Sequence, residues 1–474
     1  MKNKFVNKQG FFRNISILTT CNLFVNIVNL FTNMYLARIL RPEGYGRYGV
    51  IITLSGILMT ISSLGIRQVA IRRISQQQGS SWKQYKISIT ARLTGYIAVA
   101  ILYFVYSILY QNQTFFFFIV VISNTLLLTI WDGIQNVAFG MQRMEYTGYI
   151  NIISSIIILF IYIVLPIGWV SVLGVLVIQI IISSFKNICY YGKCKSEHLF
   201  TYSDNTPVSK VAVIDMIKES FPFYLLAVLT LFSTQWPVIF LANHSGIVEV
   251  AYFNTANKLM VPASVMLTTI MSALLPNLAK EYIYDYERFI SKINAIFKVL
   301  VILGIFCCIS LTLFRDELVY LIYGNEYKNT GNVMLTQCWY LVFHSVFALF
   351  GNVLTVVRKE RIIVILSLLY AIINTAIFWP ASYYGATVLS YGIILGCIIN
   401  MSYHYYFLRK SVSGFVGNAH FFLLFGLIIL GICISLCLTS SIYIWARIAL
   451  WITLVGSMCI FRKYLLAYVN YKRT

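Results

Sequence analysis

Arg38-Ile39-Leu40-Arg41-Pro42-Glu43-Gly44-Tyr45-Gly46-Arg47-Tyr48 is a polar, glycine-bearing stretch set between two apolar runs, 14–37 and 47–66. Each run is close to the roughly 20 residues that a helix needs to cross a bilayer. The stretch therefore reads as an outer turn joining two membrane-spanning helices. Basic residues precede the first run (Lys2, Lys4, Lys8, Arg13), but that run is long and Leu36-Ala37-Arg38 makes a poor cleavage site. Residues 14–37 are thus expected to be the first span and not a removable leader.

The same alternation continues to the C-terminus. Further spans are expected near 87–110, 114–138, 148–165, 168–190, 217–241, 250–275, 294–314, 333–357, 362–380, 384–408, 420–439 and 442–462. That makes an all-α polytopic membrane protein with about fourteen transmembrane helices. The pairs 148–165/168–190 and 362–380/384–408 have the shortest links, which leaves a merged reading open there. Only 11% of the 474 residues are charged, and 59% are hydrophobic. A soluble domain carries about 25% charged residues, so a solvated surface is excluded. The mean hydropathy of +0.79 agrees.

A net charge of +21 raises the question of nucleic acid. The cations sit between apolar runs instead of clustering on one face, so no nucleic-acid partner is expected. They orient the chain. With the N-terminus in the cytoplasm, most Lys and Arg fall on the inner side. Only Arg38, Arg41, Arg47, Arg315 and Lys328 fall at the outer side, with Lys258 and Arg447 inside spans. Both termini are expected to be cytoplasmic. The longest polar stretch, about 191–216, is too short for a domain. It separates an N-terminal lobe (1–195, helices one to six) and a linker (196–216) from a C-terminal lobe (217–410, helices seven to twelve). Two additional helices and a basic tail follow over 411–474.

The halves echo each other. Asn136-Val137, Arg143 and Pro166-Ile167-Gly168 correspond to Asn352-Val353, Lys359, Pro380 and Gly385. Leu36-Ala37, Glu43 and Tyr48 correspond to Leu241-Ala242, Glu249 and Tyr252. An even number of spans per half gives a parallel repeat, an arrangement found in many secondary transporters.

Charges inside spans are costly, and they are functional candidates by default. Lys258 follows Tyr252, Asn254 and Asn257 on one polar stretch of span eight; it reads either as a cavity-lining cation or as half of a structural ion pair. Asp132 in span four either pairs with Lys258 or another cation, takes a coupling proton, or lies nearer the inner face. Arg38 and Arg47 break the positive-inside bias. They either bind an anionic ligand, as guanidinium does well with diphosphate, or meet lipid headgroups. Arg447 is expected to snorkel to the outer interface. Pro222, Pro237 and Pro262 are expected to bend spans seven and eight. No nucleotide-binding loop, HExxH or CxxC occurs, and the five histidines are scattered. Most of the ten cysteines lie within apolar runs. No metal, disulfide framework, cofactor or enzymatic site is expected.

Ala37 through Gly49 resembles the opening signature of the polysaccharide biosynthesis (Wzx-type O-antigen) flippases. Leu64-Gly65, Ala70-Ile71-Arg72-Arg73, Gln142-Arg143-Met144-Glu145-Tyr146, Ala251-Tyr252 through Lys258, and Leu275-Pro276 extend the likeness. The resemblance implies membership of the multidrug/oligosaccharidyl-lipid/polysaccharide exporter superfamily, with two six-helix lobes around a cationic cavity. It implies outward flipping, across the bacterial inner membrane, of an undecaprenyl-pyrophosphate-linked oligosaccharide such as an O-antigen unit for lipopolysaccharide. Alternating access driven by a proton or sodium gradient would power it, with polysaccharide polymerases as partners. Lys258 matches a position that is usually basic in the family. Span seven of many relatives carries an acid near its outer end, where this chain has Gln235-Trp236-Pro237; that raises the interest of Asp132. Rival readings are a cation-coupled drug exporter of the same fold, a membrane enzyme, and a non-transporting scaffold. The basic balance inside the spans disfavours the first, and the short outer loops disfavour the second.

Overall fold

The computed structural model describes residues 8–76, 79–110, 115–165, 170–201, 207–415, 447–448 and 451–452. The expected spans 420–439 and 442–462 lie almost wholly outside them. The described chain is helical, without a strand. Nine of its helices are long and apolar enough to cross a membrane, and the bent pair Lys210–Thr234 and Trp236–His244 makes a tenth candidate. The chain is a multi-pass membrane protein.

The first two expected spans form one element, α1 (Lys8–Ser62), broken only at Arg41, whose φ of 55° and ψ of 173° leave the helical region. The loop expected over 38–48 is thus a correction: helix continues on both sides of a single residue. Pro42 follows at once, has no N–H to give the ladder, and so favours the break there. Tyr45 donates a hydrogen bond to Asn33 Oδ1 at 3.0 Å. Twelve residues of straight helix would hold that pair about 18 Å apart, so the two halves must bend back sharply at Arg41.

A second correction concerns residues 67–86, expected as an inner loop. They hold α2 (Ile66–Ser75) and the start of α3 (Ser81–Tyr110). The chain enters α2 through two left-handed residues, Leu64 (φ 50°) and Gly65 (φ 68°). Then follow α4 (Phe115–Gly140), α5 (Glu145–Val164), α6 (Val172–Ser196), α7 (Lys210–Thr234), α8 (Trp236–His244) and α9 (Ile247–Tyr284). α5 and α6 are separate helices, as are α14 (Glu360–Ala381) and α15 (Ala386–Ser411), so neither short-linked pair merges. Between them the chain forms α10 (Tyr286–Leu313), α11 (Arg315–Tyr323), α12 (Thr330–Gln337) and α13 (Tyr340–Val356). α7 gives way to α8 at Gln235, just before Pro237, with a bend of 43°. Pro222 and Pro262 lie inside helices that continue past them. At the C-terminal end of α6, Lys193 and Tyr146 hydrogen-bond Glu197 and hold its carboxyl below the usual range.

The chain forms two compact units: Met1–Lys258 with Ser367–Ala386, and Leu259–Leu366 with Thr387–Thr474. In the first, two apolar clusters hold the helices together. Ile74, Ile134, Val137, Ala138, Tyr190 and Cys194 join α2, α4 and α6. Ile66, Val69, Ala70, Ile87, Ala91 and Met216 join α2, α3 and α7. In the second unit, Gly304 lets α10 approach Val342 of α13, where an added Cβ would lie 3.2 Å from the Val342 Cα. Phe350 packs between Phe297 and Phe415. Arg447 meets Glu317 of α11 at 3.0 Å, so an ion pair accounts for the charge expected to snorkel.

Within the first unit, the glycines of the opening stretch are sites of backbone contact. A Cβ on Gly46 would stand 2.0 Å from the Ile247 carbonyl oxygen, and one on Gly49 would stand 2.4 Å from Asn254 Nδ2. Gly56, further along α1, faces open space. Gly46→Ala is therefore expected to cost about 1–3 kcal/mol, as overpacking does. Gly56→Ala should be neutral or gain up to about 1 kcal/mol of helix propensity. Thermal unfolding of both variants in detergent checks this, and equal melting points would contradict the α1–α9 contact.

Candidate functional site

The candidate binding and coupling residues Arg38, Arg47, Asp132, Tyr252, Asn254, Asn257 and Lys258 all fall in the first compact unit. The structure distributes them over three places. The first is the polar face of α9. Val250 and Asn254 both face Gly49 of α1. Lys258 lies one further turn along that face, because residues four apart stack on a helix. It is exposed, and among the described residues it has no ion pair. Tyr252 and Asn257 are half-buried on the same helix, each in polar or ring contact with its surroundings.

The second place is the bend of α1. Arg47 pairs with Glu43 at 2.6 Å, with both side chains at least half exposed. Such an exposed pair is worth only about 0.3–0.5 kcal/mol. Arg38 is exposed and precedes the break at Arg41. Gly46 sits beside Ile247, at the start of α9. Lys258 is eleven residues further, about 16 Å along the axis. Arg47 and Lys258 therefore lie at different depths. Tyr45 and Tyr48 are buried structural members, Tyr45 on Asn33 and Tyr48 accepting from Gln179 Nε2 at 2.8 Å.

The third place surrounds Asp132, which is buried on α4. Its partners are Arg67 and Arg92, not Lys258. Arg67 Nη1 donates to Oδ1 at 2.7 Å, and Arg92 Nη1 to Oδ2. Arg92 is fully buried on α3, while Arg67 is 40% exposed and also stands over the Phe139 ring at 5.3 Å. The electrostatics follow: Arg92 and Asp132 neutralise each other out of water, and Arg67 keeps part of its hydration. Engaged at both oxygens by guanidinium, the Asp132 carboxylate links α2, α3 and α4. Nearby, Lys186 of α6 lies 3.8 Å from the centre of the Trp131 ring, which itself packs on Tyr190. Sequence reading had placed Arg67 and Arg92 among the orienting inner charges. The signal that could have identified Arg92 is its position inside an apolar run, Ile87 to Leu109, the same criterion that selected Lys258. Among the described residues, no cluster of His, Cys, Asp and Glu is arranged for a metal.

The family model described as polysaccharide biosynthesis protein matches residues 11–282. A Shigella dysenteriae protein named as an O-antigen transporter is 27% identical over 203 residues, covering 42% of this chain and 50% of the relative. The match thus spans about half the length of that relative. The capsular polysaccharide biosynthesis protein CapF of Staphylococcus aureus is 22% identical over 346 residues, 70% of this chain and 82% of CapF. In fold, the chain is similar to the lipid II flippase MurJ in an inward closed conformation, with a TM-score of 0.75 at 14% identity over 94% of this chain and 99% of MurJ. It is also similar to an inward-facing multidrug resistance MATE family transporter of the MOP superfamily, with a TM-score of 0.62 at 13% identity over 85% and 98%. These neighbours are flippases and transporters, not enzymes.

Removing Asp132 leaves the buried Arg92 uncompensated. Asp132→Ala is expected to cost about 3–5 kcal/mol, the loss typical when one partner of a buried pair is deleted. The double variant Asp132→Leu with Arg92→Met should recover most of that loss. Thermal unfolding of the single and double variants tests the coupling, and additive losses would show that the two residues do not act as a pair.

Proposed function

This chain belongs to the polysaccharide biosynthesis protein family, and from that premise we propose that it moves a lipid-linked saccharide from the inner to the outer leaflet of the bacterial cytoplasmic membrane. The observation that carries this reading is Lys258. It is a cation well inside a 38-residue helix, on a face shared with Asn254, and without an ion pair among the described residues. A charge held at such depth is costly unless it serves a ligand or pathway. An ammonium beside amide groups suits the diphosphate of an undecaprenyl-diphosphate-linked oligosaccharide, such as an O-antigen or capsule repeat unit. The relatives' names agree with that class of cargo.

Alternating access coupled to a proton or sodium gradient would supply the direction. Asp132 serves in this reading as a structural anchor between α2, α3 and α4, and the coupling acid is sought elsewhere. Arg38 and Arg47 act at the outer end, where the headgroup would leave. Inner-membrane placement, cytoplasmic termini and work alongside polysaccharide polymerases complete the proposal. A drug exporter of this fold would bind cationic compounds, and the unpaired charge of Lys258 has the wrong sign for them.

Complementation of a flippase-null bacterium, with the matching sugar pathway supplied and surface polymer scored on a gel, tests the reading. The wild-type chain should restore polymer and Lys258→Arg should retain most of it. Lys258→Ala should lower it about tenfold or more at equal membrane levels, since a charge-assisted contact is worth about 1.5–3 kcal/mol. Full activity in Lys258→Ala would remove that residue from the path. Failure of the wild type would sink the proposal.

A further inference from the structure

The two ends of the first unit are closed by different chemistry. At the outer end, α1 meets α9 backbone to backbone, through Gly46 and Ile247. At the inner end, α2 meets α7, and this contact has two layers. The inner layer is dry: Ile66, Val69 and Ala70 of α2 pack with Met216 of α7, all buried. Gly65 extends it, since a Cβ there would come within 2.4 Å of the Tyr224 nitrogen and 2.8 Å of the Ser220 carbonyl oxygen.

The second layer is ionic and open to water. Glu219 of α7 takes Arg72 and Arg73 of α2 together. Arg73 donates from Nε to Oε2 at 3.0 Å and from Nη2 to the same oxygen, while Arg72 Nη2 donates to Oε1. Asp215, one turn earlier on α7, adds its field at Arg73. Glu219 is 32% exposed and Arg72 48%, so a dissolved or membrane-borne anion can reach the pair. Two adjacent guanidiniums sharing one carboxylate is also the donor set that phosphate oxygens take bidentately.

We propose that Glu219 is an anion placeholder in an inner latch. It holds Arg72 and Arg73 until the diphosphate of the arriving substrate takes its position, which frees α7 from α2 and opens the inner end toward Lys258. This rests on the flippase reading above. The energetics are those of a population shift: a ligand that binds Arg72 and Arg73 only when Glu219 has left favours the open state by its full affinity for that state. The dry layer beneath sets the resting state closed, and the ionic layer makes its release selective for anions.

Hydrogen–deuterium exchange of the full chain in nanodiscs tests the latch, read at 66–75 of α2 and 213–224 of α7. Glu219→Gln should raise exchange in both segments about tenfold or more without any ligand, as local opening becomes easier. Wild type should reach a similar level on adding polyprenyl diphosphate, and Glu219→Gln should show little further response. Inorganic pyrophosphate gives the second arm. An equal effect assigns the trigger to the diphosphate alone, and a response confined to the lipid form assigns it to the membrane-borne headgroup. The charge exchange Glu219→Arg with Arg72→Glu and Arg73→Glu should restore slow exchange, which separates a latch from misfolding. Unchanged exchange in Glu219→Gln, or a wild type deaf to both diphosphates, overturns the proposal. A wild-type chain that restores surface polymer yet fails here keeps its function and loses the latch.

Discussion

In lipid, apolar side chains gain nothing by leaving one hydrocarbon surroundings for another, so helices associate through close packing and polar contacts. That constraint falls most heavily on the approach of α1 to α9. The Gly46 backbone lies against the Ile247 carbonyl, closer than any side chain would allow, and Gly49 accommodates the Asn254 amide. The position of Asn254, and of Lys258 one turn on, depends on this contact. The same device recurs where Gly65 meets Ser220 and Tyr224, where Gly304 meets Val342, and where Gly148 meets Cys21. Small residues at crossings thus serve in both units, and in the first they stand beside paired charges.

The charges divide into kinds by their surroundings. Asp132 and Arg92 are buried together, so their value lies in mutual compensation, and breaking the pair is costlier than replacing it. Glu219 with Arg72 and Arg73 is half in water, where exchange of one anion for another is cheap. Arg47 with Glu43 is exposed and contributes little. Lys258, exposed on α9, has no carboxylate partner among the described residues, whereas Lys186 of α6 rests on the Trp131 ring. A ranking by burial and pairing, and not by sequence position, separates scaffold from candidate path.

The apolar helices among the described residues were legible because their signal is local: a run of apolar residues of the right length declares itself without knowledge of its neighbours. The positions of Pro42, Gly46 and Gly49 were visible too, though their purpose was not. A polar stretch of this length reads equally as a loop or as a break at one residue; the backbone of Arg41 and the Tyr45–Asn33 bond decide between them. α2 was missed because a short basic amphipathic helix has the composition of an inner loop. Asp132 was recognised as costly, but its partners lie 65 and 40 residues away in sequence, and no periodicity links them. Glu219 was hidden for the same reason, its two arginines standing 147 and 146 residues upstream.

The bend at Arg41 sets a limit on how this end of the molecule can be modified. A reversal made at a single residue has no slack: the helical ladder resumes on either side, Tyr45 and Tyr48 are pinned at their hydroxyls, and Gly46 and Gly49 are in contact. Insertions are tolerated where backbone is exposed and unbonded, and here little of it is. An epitope tag or protease site placed between residues 38 and 49 would have to unwind the hairpin to be seen. A membrane-impermeant reagent the size of one side chain, aimed at the exposed positions 38, 41, 43 or 47, is the scale of probe this turn admits.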